Sequence, residues 1–384
     1  MKRLRIDRKY IIRHAAAYRC SLGIALDELA NGRKLRFRDM RCKRTLKFLK
    51  AKDTDYVRGC GIFYARVVKF LFTKYDILVA QPRELQHCAN VLDWVDQTIR
   101  NEFPSQRKDY EDSKASIAEL FNYARFGAGK RIVVHHDPVQ GWYFTWDRMQ
   151  KWSAWHFMLA LDARTCSYCN GDGVFSLLLN SKLPGSSEMA VDVGDTRRSP
   201  FDHFYGYADY PCLGLSLFNL VPACTRCNTN IKGAKKQDMY DFIHPYCESF
   251  DDGARFYALF ERYAAISFPK EDDVCVVLRP PIAVNGDLDL ERRAGESSEF
   301  FHLEEVYNQV YGRELVDIVR RVVAMPKAYW DDMVRRFPDI EAAIVNRMLM
   351  GCSNDRRFIN KERLSKLTCD LWDQLHVDIL PSIH

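Results

Sequence analysis

The 384 residues carry 57 Lys/Arg against 51 Asp/Glu, a formal net charge of +6, with 47% hydrophobic and 13% aromatic side chains. That composition excludes a disordered chain and supplies enough apolar surface to pack two or three structural units. No window approaches the roughly 18 apolar residues of a membrane span, and residues 1–14 lack the apolar stretch of a secretory signal, so a cytoplasmic protein without membrane association is expected.

Residues 1–105 are expected to form a basic, helical N-terminal region. Residues 1–70 hold 20 Lys/Arg and six Asp/Glu, a net +14 that leaves −8 on the rest of the chain. Arg36, Arg38, Arg41, Lys43 and Arg44 interleave with apolar residues as on a basic helix or strand facing phosphate, which makes nucleic acid the expected contact. An acidic partner subunit would suit the same charges. Residues 61–80 read as one buried helix and residues 83–102 as an amphipathic one. Pro104 opens a polar stretch that marks a loose boundary near residue 105.

Residues 106–160 are expected as a helical, aromatic lead-in. Residues 113–126 read as helix, and His135-His136-Asp137 as a turn after a β-like run rather than a metal site. Trp142, Trp146, Trp152 and Trp155 crowd the next stretch, where residues 145–161 have helical spacing and the indoles are expected in the core.

Residues 161–240 carry the chemistry. Cys166/Cys169 and Cys224/Cys227 form two C-x-x-C pairs, each placing two thiolates on one tight turn, and two such turns complete the tetrahedral shell of a structural Zn²⁺. The other nine cysteines show no pairing pattern and are expected as reduced thiols. The 54 residues between the pairs exceed ordinary zinc-finger spacing, so a functional unit is expected between the knuckles. Residues 171–196, rich in Gly, Ser and Asp, read as an excursion from it.

Asp202-His203, Asn219 and Asn228 follow in order. A histidine titrates near neutral pH and suits a general base, while a carboxylate and an amide oxygen suit a hard cation such as Mg²⁺ or Mn²⁺. His203 is therefore the expected base, Asp202 and Asn228 the ligands of a catalytic divalent metal, and Asn219 the residue that fixes the loop. Lys232 and Lys235 suit contact with backbone phosphate, and a solvated surface suits them equally. A knuckle that only stabilises the fold, with Asp202-His203 as a surface pair, is the competing interpretation.

Asp202-His203, the Asn219-Leu220-Val221-Pro222 run and C-x-x-C-N-x-x-x-K-G resemble the HNH endonuclease family over roughly residues 160–236. The resemblance implies a ββα-metal fold, with strands near 200–205 and 217–222 and a helix through 236. It also implies His203 as base, Asp202 and Asn228 as metal ligands and Asn219 as the orienting residue. Asn228 stands where many members have His, and Gly206-Tyr207-Ala208-Asp209 stands where a Pro and Lys would be expected. Short motifs at 244–246, 250–252, 301–308 and 360–367 extend the likeness to the HNH nucleases of bacterial anti-phage defence, similar to those of Septu and some retron systems. That likeness implies an ABC or SMC-like ATPase partner; the chain itself has no G-x-x-x-x-G-K-[ST] loop. Self-association is left open.

The expected class is α+β, mostly α-helical, with a zinc-stapled ββα core between N- and C-terminal helical regions, the latter spanning 241–384. The expected activity is hydrolysis of DNA phosphodiester bonds. A zinc-stabilised adaptor binding nucleic acid or a partner, and a ribonuclease using the same site, are the rivals.

Overall fold

The structure is a computed structural model that describes residues 1–33, 35–38, 46–48, 59–161, 163–179, 193–261, 269–281, 287–338 and 342–378. It is α+β and 55% helical, with small sheets. Among the described residues no helix is long and apolar enough to cross a membrane.

Asp7 opens α1 (Arg8–Ala30) by accepting a hydrogen bond from Lys9 N, and Tyr10, His14, Tyr18, Leu22, Leu26 and Leu29 form its buried stripe. The buried helix expected over 61–80 is α2 (Gly59–Tyr75), and the amphipathic one is α3 (Pro82–Glu102), started by a capping box between Gln81 and Glu84. A short 3₁₀ turn at Pro104–Gln106 joins α3 to α4 (Arg107–Leu120), and Asn122 caps the brief α5 (Tyr123–Gly127). One apolar core includes side chains from Met1 to Leu375, so all four expected segments contribute to it.

A four-stranded sheet follows the order β2-β1-β4-β3, from β1 (Arg36–Arg38), β2 (Leu46–Phe48), β3 (Lys130–Asp137) and β4 (Gly141–Arg148). Here the structure corrects two expectations. His135, His136 and Asp137 lie on a strand rather than in a turn, paired with Tyr143, Trp142 and Gly141; the turn follows, with Asp137 Oδ1 accepting from Val139 N and Gln140 N. The helical reading of 145–161 fails at its start, where Trp146 belongs to β4; only α6 (Ala154–Ala160) is helical. A spacing of four puts Trp142 and Trp146 on one face of a helix and of a strand alike, so it does not discriminate. Trp152 and Trp155 are buried as expected, whereas Trp142, also expected in the core, is exposed on β4.

β5 (Ser176–Leu178) pairs with β6 (Thr196–Arg198), and β7 (Phe201–His203) with β8 (Leu220–Pro222). After α7 (Phe250–Gly253) comes an antiparallel hairpin, β9 (Arg255–Phe260) and β10 (Val274–Arg279), inside the region expected to be helical. The remainder is helical: α8 (Leu288–Phe300), α9 (Leu303–Glu305), α10 (Gly312–Ala324), α11 (Lys327–Arg336), α12 (Ala342–Met350) and α13 (Ser365–Asp373). Pro326 and Phe337, just ahead of Pro338, bound α11.

Candidate functional site

The first knuckle is closed by hydrogen bonds from Asn170 N to Cys166 O at 2.9 Å and from Cys166 N to Asp172 O at 2.9 Å. Asn170 sits at φ +56°, a left-handed conformation that Asn tolerates better than most residues. In the second knuckle Cys227 N points at Cys224 Sγ, 3.4 Å away, and Asn228 N donates to Cys224 O at 3.0 Å. Ser167 N donates to Pro222 O at 3.1 Å and draws the two turns together.

All four sulfurs are buried and lie within 4.8 Å of one another, with Cys169 Sγ and Cys224 Sγ 3.9 Å apart. A tetrahedral thiolate site with Zn–S near 2.3 Å has sulfurs about 3.8 Å apart, so Cys166, Cys169, Cys224 and Cys227 fit a metal ion such as zinc. Hydrogen bonding among the sulfurs draws Cys169 well below the ordinary thiol range and Cys224 down to about 7, while burial raises Cys166 and hydrogen bonding to Cys166 raises Cys227 well above it, so two of the four sulfurs favour the thiolate that a metal requires. Among the described residues this is the one group of three or more His, Cys, Asp or Glu placed to share an ion.

The strands β7 and β8 pair Phe201 with Pro222, Asp202 with Val221 and His203 with Leu220. A widened, π-type helical segment, Arg226–Lys232, continues from the second knuckle and ends at Gly233, φ +52°. Strand, strand and helix thus follow in the expected order, but the strands are shorter and the helix stops before 236.

His203 Nε2 lies 3.1 Å from Gly214 O. A carbonyl only accepts, so Nε2 carries the proton and Nδ1 keeps the basic lone pair. Burial holds the imidazole below its ordinary pKa, which favours the neutral form. The ring stands edge-on to Tyr123, centroids 5.0 Å apart, with Tyr207 at 5.6 Å. Gly214 is required there, because a Cβ would come within 2.5 Å of the Tyr207 ring and 2.7 Å of Phe121 O.

Asn219 is fully buried and staples the intervening loop. Its Oδ1 accepts from Tyr205 N at 2.7 Å, and its Nδ2 donates to Tyr205 O and Leu213 O, each at 3.1 Å. The N-terminal region and α4 brace the same loop: Leu217 N donates to Leu78 O at 2.9 Å, His14 Nε2 to Leu215 O at 2.6 Å, and Tyr207 Oη to Ala118 O on α4.

Two expected roles are corrected. Lys232, expected at phosphate, is 2% exposed, and its ammonium bonds Asp202 Oδ2 at 2.6 Å, His203 O at 2.6 Å and Phe204 O at 3.3 Å. Asp202, expected to hold a divalent cation, is buried and already neutralised by Lys232, and it also accepts from Tyr168 Oη at 2.5 Å. An ammonium in salt-bridge contact repels a dication, so Asp202 as it stands does not fit that ion. Asn228 is half-buried, and its side chain makes no hydrogen bond to a described residue.

Lys235 is exposed beyond the helical segment, its Nζ 5.5 Å from the Phe300 ring centre. Arg36 and Arg38 lie on β1 of the separate four-stranded sheet, where Arg36 Nη1 bonds Gln140 O. Arg41, Lys43 and Arg44 lie outside the described residues. Tyr168, Gly214 and Tyr123 belong to the site without having been singled out in the sequence. Tyr168 had a signal, since it lies inside the first C-x-x-C pair; Gly214 and Tyr123 had none. No family model, curated protein or solved structure matches this chain.

Proposed function

We propose that this chain is an HNH-type endonuclease hydrolysing phosphodiester bonds of DNA, with His203 as general base and zinc in the four-cysteine site as a structural staple. The observation that carries the reading is the His203 Nε2–Gly214 O hydrogen bond, which leaves Nδ1 of a neutral imidazole as a base. In this reading Nδ1 takes the proton from the attacking water. Asn219 holds the loop that presents Gly214 O, and so fixes the ring's tautomer and angle. Zinc supplies folding free energy rather than reaction chemistry.

The expected Mg²⁺ or Mn²⁺ at Asp202 and Asn228 is not carried into the mechanism, because Lys232 already neutralises Asp202. DNA rather than RNA, a role in anti-phage defence and an ATPase partner rest on the motif resemblance alone.

Nicking of supercoiled plasmid by the purified protein, with Mg²⁺ or Mn²⁺ in the buffer and His203→Ala prepared in parallel, tests the proposal. Wild type should nick, and His203→Ala should lose about 10²-fold or more, the usual contribution of a general base. The acid limb of the rate should fall below the ordinary histidine value, because burial disfavours the imidazolium. A variant as active as wild type would remove His203 from the chemistry.

The buried Asp202–Lys232 pair favours a second reading, a zinc-stapled scaffold that binds nucleic acid or a protein partner without cutting. Under it His203→Ala would keep full biological activity.

A further inference from the structure

Lys232 Nζ has three acceptors, the carboxylate of Asp202 and the carbonyls of His203 and Phe204, which is the full complement of an ammonium's three donors. A carboxylate with two main-chain carbonyls is also the kind of all-oxygen donor set that hard divalent cations use. The two knuckles both reach this carboxylate. Tyr168 comes from inside the first, and Lys232 from the helical segment that starts in the second. No surface flexibility blurs the arrangement, since the side chains of Lys232 and Asp202 are buried.

We infer that Lys232 acts as a built-in cation, filling the place beside Asp202 that a divalent ion would otherwise take and keeping such ions off that carboxylate. The inference rests on the nuclease reading only for its interest in Asp202. A dication at Asp202 would have to displace an ammonium whose three hydrogen bonds are all made, and would leave a buried lysine without partners, which is costly.

The test is Mn²⁺ titration of the zinc-loaded full-length protein, with bound Mn²⁺ counted by electron paramagnetic resonance. Wild type, Asp202→Asn, Lys232→Met and the double variant Asp202→Asn/Lys232→Met are compared, each checked for fold and zinc content. Wild type and Asp202→Asn should bind Mn²⁺ alike. Lys232→Met should gain one Mn²⁺ site, at least about tenfold tighter than any in wild type, the lower end of what changes beside a metal ligand do. The double variant should lack it.

A wild-type Mn²⁺ site that disappears in Asp202→Asn would overturn the inference. So would a folded, zinc-replete Lys232→Met with no gain. Should Lys232→Met fail to fold, the comparison of wild type with Asp202→Asn still decides. Because occupancy rather than cleavage is read, a protein that never cuts gives the same Mn²⁺ count, and the two proposals fail separately.

Discussion

His14 shows how one side chain ties the site's loop to pH. It is fully buried, donates from Nε2 to Leu215 O and accepts Trp152 Nε1–H on Nδ1 at 3.1 Å, a pattern only the neutral ring can make. Burial pushes its pKa from 6.5 down to about 4. The folded value lies below the unfolded one, so the unfolded chain binds the proton more readily. The stabilisation is complete above about pH 6.5 and is lost as pH falls toward 4, by about 3 kcal/mol for this histidine. Urea unfolding at pH 7 and pH 4.5 should show the drop, and His14→Gln should shrink it; an unchanged pH slope would contradict the assignment. Lys232 marks what could not be read at this scale. Lysine is rarely buried, so a lysine past a knuckle reads as surface, and only its three oxygen partners reveal otherwise.

At the scale of elements, the knuckles do more than set four sulfurs where a metal ion fits. Tyr168 and Lys232 both end on Asp202, so loss of the metal site releases the β7–β8 hairpin as well as the thiols. Cys166→Ser or Cys224→Ser should lose stoichiometric zinc and unfold this unit, because binding free energy is folding free energy here. Zinc released to a chromogenic chelator, read beside circular dichroism, checks this; retained fold and zinc in either variant would refute the site. The four-cysteine cluster was legible, because C-x-x-C spacing is a local signal. The hairpin β9–β10 was not, and of β3–β4 only the β-like run before His135 was. The buried residues Phe256 and Ala258, and Val274, Val276 and Leu278, alternate as a strand should, but each run is only six residues long among helical neighbours.

Across the whole molecule a buried charge network joins distant segments. Lys366, 0% exposed, bonds Asp251 at 3.0 Å, Asp370 at 2.8 Å and Ala254 O at 2.8 Å, and Arg356 reaches Asp251 at 2.6 Å. Burial alone would raise the Asp251 pKa, but Lys366 and the neighbouring cations hold it far below the carboxylate range. Asp251→Asn should therefore cost about 3–5 kcal/mol in denaturant unfolding, since it leaves buried cations short of a partner. A loss below about 1 kcal/mol would show the network to be dispensable. In the sequence Asp251 stood only in the short motif at 250–252, and no local pattern links it to a lysine 115 residues away.

The separation of the two knuckles bears on the route to the native state. Bringing thiols together across 54 intervening residues costs a free chain on the order of 3 kcal/mol of closure entropy. A metal ion caught first by one pair and then by the other would offset that loss before the core is complete. Refolding in a chelator should accordingly be slower as well as less complete, and the speed should return when zinc is added ahead of folding rather than after it.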